Sequence, residues 1–172
     1  MLRKFRSQKG FTLIELVVVI VILGILAVTA APKFINLQPE AETATLQGIK
    51  ASLEGASALV YGKALIKGNH KSPIKLSPPV NSVNIGDGEG NNNDGELLIH
   101  YGYPIGLWSE FERLVDISDS YAKLSVGRSQ STFIIYFSNK TAPASLNDDC
   151  MVHYTMPIGL GEKPKIVVNP CV

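Results

Sequence analysis

The feature that most constrains this chain is a nearly continuous apolar run from Phe11 to Ala31, FTLIELVVVIVILGILAVTAA. As an α-helix rising about 1.5 Å per residue it would cover roughly 30 Å, the thickness of a membrane's hydrocarbon core. Positive charges flanking a membrane span stay on the cytoplasmic side. Such charges precede the run at Arg3, Lys4, Arg6 and Lys9. The sequence therefore predicts a transmembrane helix, with the residues after Ala31 outside the cytoplasm.

The remainder of the 172-residue chain is long enough for one globular domain. Without the four leading positive charges, the 16 basic residues fall to 12 against 15 acidic ones, a net charge of −3. A mildly acidic body offers no basic face for phosphates, so we expect no nucleic-acid partner. The two cysteines, Cys150 and Cys171, lack a metal-ligand spacing, which predicts a disulfide and an oxidising compartment.

A glutamate inside the run bears on what the run does. A cleaved secretory signal usually has an apolar stretch of about 7 to 15 residues, shorter than this one, and Pro32 would crowd a cut after Ala31. A plain membrane anchor does not explain Glu15, because a carboxylate in lipid costs up to about 3 kcal/mol and usually signals a function. Snorkelling to the cytoplasmic interface remains as a purely structural role for Glu15.

The residues around this glutamate resemble the class III signal of type IV pilins and their relatives. They read Lys9-Gly10-Phe11-Thr12-Leu13-Ile14-Glu15, followed by Leu16-Val17-Val18-Val19-Ile20. The resemblance implies that a prepilin peptidase cuts between Gly10 and Phe11, removing a leader of residues 1–10, and that Phe11 is N-methylated. It covers about residues 9–38, and the string APKFINL at 31–37 is similar to mannose-sensitive haemagglutinin pilins.

The resemblance also implies a helical homopolymer. Residues 11–38 would form the transmembrane and polymerisation helix, and residues 39–172 a globular pilin domain in the periplasm or at the surface. In a bundle of such helices, Glu15 would lie against the Phe11 amine of a neighbouring copy. Removing one partner of a buried ion pair costs about 3 to 5 kcal/mol, so the pair would fix the register between subunits.

Gly24 and Pro32 interrupt the apolar helix pattern. Proline removes a backbone donor and crowds the carbonyl four residues earlier, so we expect this segment to bend or to unwind in a filament. The implied partners are other copies of the chain, the prepilin peptidase, the inner-membrane assembly machinery and a surface or glycan receptor. The implied location is the bacterial inner membrane, and after assembly an extracellular pilus.

The sequence pattern of the body predicts an α+β fold. In it the C-terminal half of a long N-terminal α-helix packs on an antiparallel sheet. Its helix pattern after Pro39 has apolar positions at Leu46, Ile49, Leu53, Ala56 and Val60, and either Gly62 or Gly68 as the stop. Predicted strands are Leu97 to Tyr101, Thr132 to Phe137, Met151 to Thr155 and Ile166 to Val168, with a short helix over Ser109 to Val115.

Residues 67–95 predict a long surface loop rich in glycine, asparagine, proline and serine. Oxygen ligands at 86–96 suit calcium, but the EF-hand pattern needs a glycine at Asn92 and a glutamate at Leu98. The loop is therefore either a calcium site or a solvated variable loop, and we assign no metal and no cofactor.

Other chemistry is weakly indicated. A sugar could stack on Tyr101, Tyr103 and Trp108, although such aromatic residues are more often core. The three histidines have no ligand spacing and fit surface or sheet positions. No catalytic triad or supported carboxylate pair occurs, which disfavours an enzyme and leaves no catalytic residue to assign.

Two classes of function remain open on the sequence. One is a structural pilus subunit, preferably a major pilin of the mannose-sensitive haemagglutinin type. The other is a pseudopilin of a secretion machine, with a minor pilin or a membrane-tethered binding module as a further variant. The cysteine pair favours the pilin, because major secretion pseudopilins resemble a shorter pattern without a C-terminal bridge.

Overall fold

The computed structural model describes residues 10–75, 80–88, 95–126 and 131–172, with the backbone alone at 34–36. Contacts divide the chain into two compact units, Met1–Gln38 and Pro39–Val172. The first helix, α1 (Leu13–Lys67), contributes to both units. The other elements are β1 (Ser82–Asn84), β2 (Glu96–His100), β3 (Tyr103–Pro104), α2 (Trp108–Phe111), β4 (Tyr121–Val126), β5 (Thr132–Phe137), β6 (Met151–Thr155) and β7 (Lys165–Asn169).

The strands form two antiparallel sheets. The first has the order β1-β2-β3, and the second the order β4-β5-β6-β7. In the four-stranded sheet each strand pairs with the next along the chain, so that Ile135 lies opposite Val152 and Val152 opposite Val168. A long helix followed by antiparallel strands confirms the α+β prediction.

The part of α1 from Pro39 onward carries one apolar face that serves both sheets. Its fully buried Leu46 and Leu53 belong to a cluster with Phe133, Ile135 and other residues of the four-stranded sheet. Val60 and Ala64, about two and three turns after Leu53, pack in a second cluster with Val83, Leu97 and Ile99 of the three-stranded sheet. The three- and four-residue spacing of these positions places them on one side of the helix, as predicted.

Helix α1 ends at the second of the two predicted stops. Gly68 adopts a φ of +76°, a left-handed conformation that favours glycine. Its N–H donates to the Leu65 carbonyl at 3.1 Å, and the Asn69 N–H donates to the Ala64 carbonyl at 3.1 Å. These bonds satisfy carbonyl groups that the end of the helix would otherwise leave without donors.

The prediction of a loop throughout residues 67–95 was wrong at β1. Val83 is buried and pairs with Leu97, so a short strand lies within this polar stretch. The buried amide of Asn81 supports it, donating to the Ser72 carbonyl at 2.7 Å and to the Ile99 carbonyl at 3.3 Å. A polar side chain that satisfies distant backbone groups gives no periodic signal in the sequence.

The other strand predictions hold with small shifts. β5 and β6 have the predicted bounds, β2 begins one residue earlier, and β7 is one residue longer at each end. The sequence analysis missed β3 and β4, which are held by pairing with β2 and β5. The predicted helix over Ser109 to Val115 forms as α2 followed by a turn, in which the Val115 N–H donates to the Phe111 carbonyl.

Gly106 gives a direct test of packing between the segment after β3 and the start of β5. A Cβ added there would overlap the backbone of Ser131 and Thr132. We expect Gly106→Ala to lower the free energy of unfolding by about 1 to 3 kcal/mol, because backbone cannot yield as a flexible side chain can. Urea unfolding of the full chain in detergent micelles, followed by near-ultraviolet circular dichroism, measures the change.

Gly55→Ala is the matched control. Nothing lies within 4 Å of a Cβ at this position in α1, so alanine should raise stability by about 0.5 to 1 kcal/mol through helix propensity. If Gly106→Ala unfolded at the urea concentration of the unmodified chain or above it, the close approach at this site would be wrong.

Candidate functional site

The N-terminal segment is the first candidate site, and it begins in irregular backbone. Gly10 and Phe11 precede α1, and the Phe11 side chain is 87% exposed. The peptide bond between them is therefore outside any helix, where a peptidase could reach it. Residues 1–9 of the expected leader lie outside the described residues.

Thr12 and Glu15 close the first turn of α1 as a capping box. The Glu15 Oε2 accepts the Thr12 backbone N–H at 2.8 Å and the Thr12 hydroxyl at 2.7 Å. The Glu15 N–H in turn donates to the Thr12 Oγ1 at 3.3 Å. The sequence analysis missed this intramolecular role, although the spacing of a threonine three residues before a glutamate is the usual signal for it.

The helix that follows this capping box is apolar on every side. Leu13–Lys33 is long and apolar enough to cross a membrane by length and composition, and none of it is buried in the single chain. Large aliphatic side chains point outward all around it, Ile14, Leu23 and Val28 among them at 66%, 58% and 77% exposure. A helix that is apolar all round needs lipid or other protein to cover it.

The segment from Gly24 to Pro32 is α-helical in the single chain. The Thr29 hydroxyl donates back to the Leu26 carbonyl at 3.0 Å. Because Pro32 has no N–H, the Val28 carbonyl loses its usual helical donor, and the backbone ladder is weakest here. Unwinding of this segment in a filament stays a prediction.

The second candidate site is the segment between the cysteines. Cys150 and Cys171 form a disulfide, which encloses β6 and β7. The Cys171 N–H donates to the Thr43 Oγ1 of α1 at 2.9 Å. Lys140 Nζ lies 2.5 Å from Glu42 Oε2 and 3.1 Å from Cys150 Sγ. Both ends of the enclosed segment are thus fastened to one turn of α1, and the disulfide sulfurs beside Glu42 are not free to bind a metal.

An arginine holds the described part of the loop at residues 86–96, for which the sequence left a calcium site and a solvated loop as alternatives. Residues 89–94 lie outside the described residues. The Arg113 side chain, only 10% exposed, donates from Nε and Nη2 to the two Asp87 carboxylate oxygens at 2.7 and 2.9 Å. Its Nη1 donates to the Glu96 carbonyl at 3.1 Å and to Glu110 Oε2 at 3.3 Å. Arg113 therefore ties Asp87 to the Glu96 backbone and to Glu110, and calcium binding by residues 86–96 stays a hypothesis.

Glu110 links this network to the three-stranded sheet. Its Oε2 accepts the Leu98 N–H of β2 at 3.1 Å. Burial raises the pKa of Glu110, and the Leu98 N–H and the nearby Arg113 partly offset that rise. The arginine thus ties the loop, α2 and β2 together.

The aromatic residues singled out for sugar binding do not form one platform. Tyr103 is buried and stacks on Tyr61 with ring centroids 4.6 Å apart, and Trp108 meets the edge of Phe133. Tyr101 lies in the turn between β2 and β3 with a φ of +48°. For Tyr103 and Trp108, the expectation of a core role is confirmed.

Two of the three histidines lie in strands, as expected. His100 in β2 accepts the Ile74 backbone N–H on Nδ1 at 2.9 Å and hydrogen-bonds the backbone of Ile158. His153 in β6 lies opposite Ile134 and Val167. Burial lowers the pKa of both histidines, and for His100 the bond to Ile158 partly offsets it.

Comparison with known proteins finds the prokaryotic N-terminal methylation motif at residues 5–31. The chain is 47% identical over 56 residues to the type IV narrow pilus major component PilA5 of Thermus thermophilus, covering 33% of this chain and 48% of that protein. It is 39% identical over 71 residues to the type IV major alpha-pilin of Moraxella bovis, covering 40% and 45%.

These matches support a type IV pilin. The matched part of the chain spans just under half the length of each pilin relative. No solved structure gives a significant match. The pilin likeness by sequence therefore concerns part of the chain, while the α+β architecture described above is also that of a type IV pilin.

Arg113 gives a testable measure of how firmly the loop is held. We expect Arg113→Ala to lower the free energy of unfolding by about 3 kcal/mol, because it leaves the Asp87 and Glu110 carboxylates without their buried partner. Lys67→Ala is the control, since its ion pair with Glu96 is largely solvated and should be worth less than about 1 kcal/mol. Equal effects in urea unfolding would contradict the buried network.

The lowered pKa of His100 leads us to expect that the protein loses stability in mild acid. Because its folded-state pKa is lowered, its contribution is fully present above the unfolded value of about 6.5 and is lost as pH falls through the folded pKa. We expect the unmodified chain to lose stability between about pH 7 and pH 5, and His100→Gln to lose less. Some slope should remain from His153. An unchanged slope in thermal melts of His100→Gln would exclude His100 as a cause.

Proposed function

We propose that this chain is the precursor of a structural subunit of a type IV pilus. The observation that carries the proposal is the methylation motif at residues 5–31, most of which forms a helix that is apolar on all sides and wholly uncovered in the single chain. Lipid covers such a helix before assembly, and neighbouring copies cover it in a filament. The inner membrane is therefore the location of the subunit, and the cell surface that of the polymer.

Processing completes the assembly site. A prepilin peptidase removes residues 1–10 by cutting between Gly10 and Phe11, and Phe11 becomes N-methylated. The new amine is a cation at the tip of an otherwise apolar helix, whose only acid, before Lys33, is Glu15. We propose that the amine of one copy pairs with Glu15 of the next within the filament core.

The capping box is compatible with this pairing. Its hydrogen bonds to Thr12 use Oε2 of Glu15, which leaves Oε1 to accept the amine of a neighbouring copy. The box also fixes the carboxylate on the first turn, so less side-chain entropy is lost when the pair forms. The intramolecular cap and the intermolecular pair therefore act together.

The finer assignment follows the string at residues 31–37 and the C-terminal disulfide. We propose a major pilin of the mannose-sensitive haemagglutinin type, which serves adhesion and attachment and uses a surface or glycan receptor. Domains follow the same scheme: a leader of residues 1–10, a polymerisation helix of 11–38 with unwinding between Gly24 and Pro32, and a globular domain of 39–172. Abundant sheared filaments bearing N-methylated Phe11 by mass spectrometry would distinguish this subunit from a minor pilin or a pseudopilin.

Substitution of Glu15 separates its charge from its capping role. Glutamine can keep a capping box, whereas valine cannot, and both remove the charge. We expect Glu15→Gln and Glu15→Val to insert into the inner membrane and to give few or no filaments, because each leaves an amine unpaired in a dry core. Immunoblots of membranes and electron microscopy of sheared filaments measure the two outcomes.

Glu40→Gln is the matched control, since Glu40 is exposed and follows the apolar segment. It should assemble normally. Normal piliation by Glu15→Gln together with loss in Glu15→Val would assign assembly to the cap rather than to the charge, and would contradict the pairing.

A further inference from the structure

The loop between β6 and β7 presents two large aliphatic side chains to solvent. Ile158 is 85% exposed and Leu160 is 60% exposed. Singly exposed apolar residues are common, but two at one loop tip form a small apolar projection. The projection lies inside the segment enclosed by the disulfide.

This tip is held in one conformation by internal hydrogen bonds. Glu162 Oε2 accepts the Ile158 N–H at 3.1 Å and the Gly159 N–H at 3.3 Å. The Glu162 N–H donates to the Gly159 carbonyl at 3.3 Å, and His100 bonds the backbone of Ile158 from the neighbouring sheet. A tip that is already ordered loses less conformational entropy when it binds.

Four lysines belong to the tip or to a loop that contacts it through His100. Lys163 and Lys165 line one groove together with Ile158 and Glu162. Lys71 and Lys75 belong to the loop that the same His100 holds through the Ile74 N–H. All four lysines are exposed. This concentration of positive charge runs against the net negative charge of the body.

The acidic groups of the neighbouring elements are already engaged. Glu162 spends its carboxylate on the two N–H groups of the tip. Glu54 of α1, which lines a groove with Lys163, lies 3.7 Å from Lys50. The four lysines outnumber these two acids, so the balance of these six charges is positive.

We propose that this basic apolar tip, Ile158 and Leu160 with Lys71, Lys75, Lys163 and Lys165, docks on an anionic phospholipid membrane. Aliphatic side chains enter the boundary between head groups and acyl chains, while lysines keep their charge at the level of the phosphates. A lipid surface would engage both the aliphatic side chains and the lysines, whereas a polyanion alone would make no use of the exposed Ile158 and Leu160. The inference does not depend on filament formation.

The test uses the full chain anchored by its own helix in neutral phosphatidylcholine proteoliposomes, so that only the body meets a second vesicle. Protease accessibility equalises the amount of outward-facing protein. We expect fluorescent vesicles containing phosphatidylserine to be captured at least about tenfold better than pure phosphatidylcholine vesicles. Raising the salt concentration should lower that capture, because it screens the lysines.

Two double variants divide the contributions of the tip. We expect Ile158→Ser with Leu160→Ser, and separately Lys163→Ala with Lys165→Ala, each to reduce capture by roughly tenfold or more. Leu59→Ser with Ile66→Ser is the matched control, because these α1 side chains are 73% and 90% exposed and lie outside the tip. It should capture as well as the unmodified chain.

Circular dichroism and an intact disulfide confirm that each variant is folded. Equal capture of neutral vesicles, or undiminished capture by the serine variant, would overturn the proposal. DNA or polyglutamate that bound in place of lipid, with no loss in the serine variant, would likewise overturn it and assign the lysines to a polyanion or the tip to another role.

Discussion

An apolar surface that the chain cannot bury by itself governs the N-terminal unit. Leu13–Lys33 forms a regular helix because its backbone bonds close within the segment, and its side chains find no cover in the single chain. Within such a helix each polar group carries unusual weight. Glu15 is a local cap through Thr12, and its proposed second role is to pair with the amine of a neighbouring copy.

The body reuses the same helix for a different purpose. From Pro39 onward one apolar face of the helix joins the two sheets through Leu53 and Val60. The disulfide and the bond from Cys171 to Thr43 fasten the last strands to that helix. Arg113 and Asn81 hold the loops in place. The Arg113 guanidinium donates to Asp87, and the Asn81 amide donates to the Ser72 carbonyl. Specific side chains thus order these loops of the body. In the loop that carries the exposed Ile158 and Leu160, Glu162 accepts the Ile158 N–H.

The sequence motifs of the N-terminal candidate site could be recognised from the sequence, because the residues that form them are close together in the chain. The apolar run, the glycine before Phe11 and the internal glutamate stand within a few residues of one another. The capping role of Glu15 is equally local, since Thr12 stands only three residues before it. Asp87 illustrates the opposite case, since Arg113, its partner in the fold, stands 26 residues away.

The sequence by itself determined the spanning helix, the amphipathic face after Pro39, the stronger strands and the cysteine pair, since each depends on the period or chemistry of neighbouring residues. Tertiary structure alone decided that β1 pairs with β2 inside a polar stretch, that Arg113 bonds Asp87 and the Glu96 carbonyl, and that His100 joins Ile74 to Ile158. These contacts join residues far apart in the chain. Their energy comes from satisfying buried polar groups, and which donor meets which acceptor is fixed only once the helix and sheets have packed.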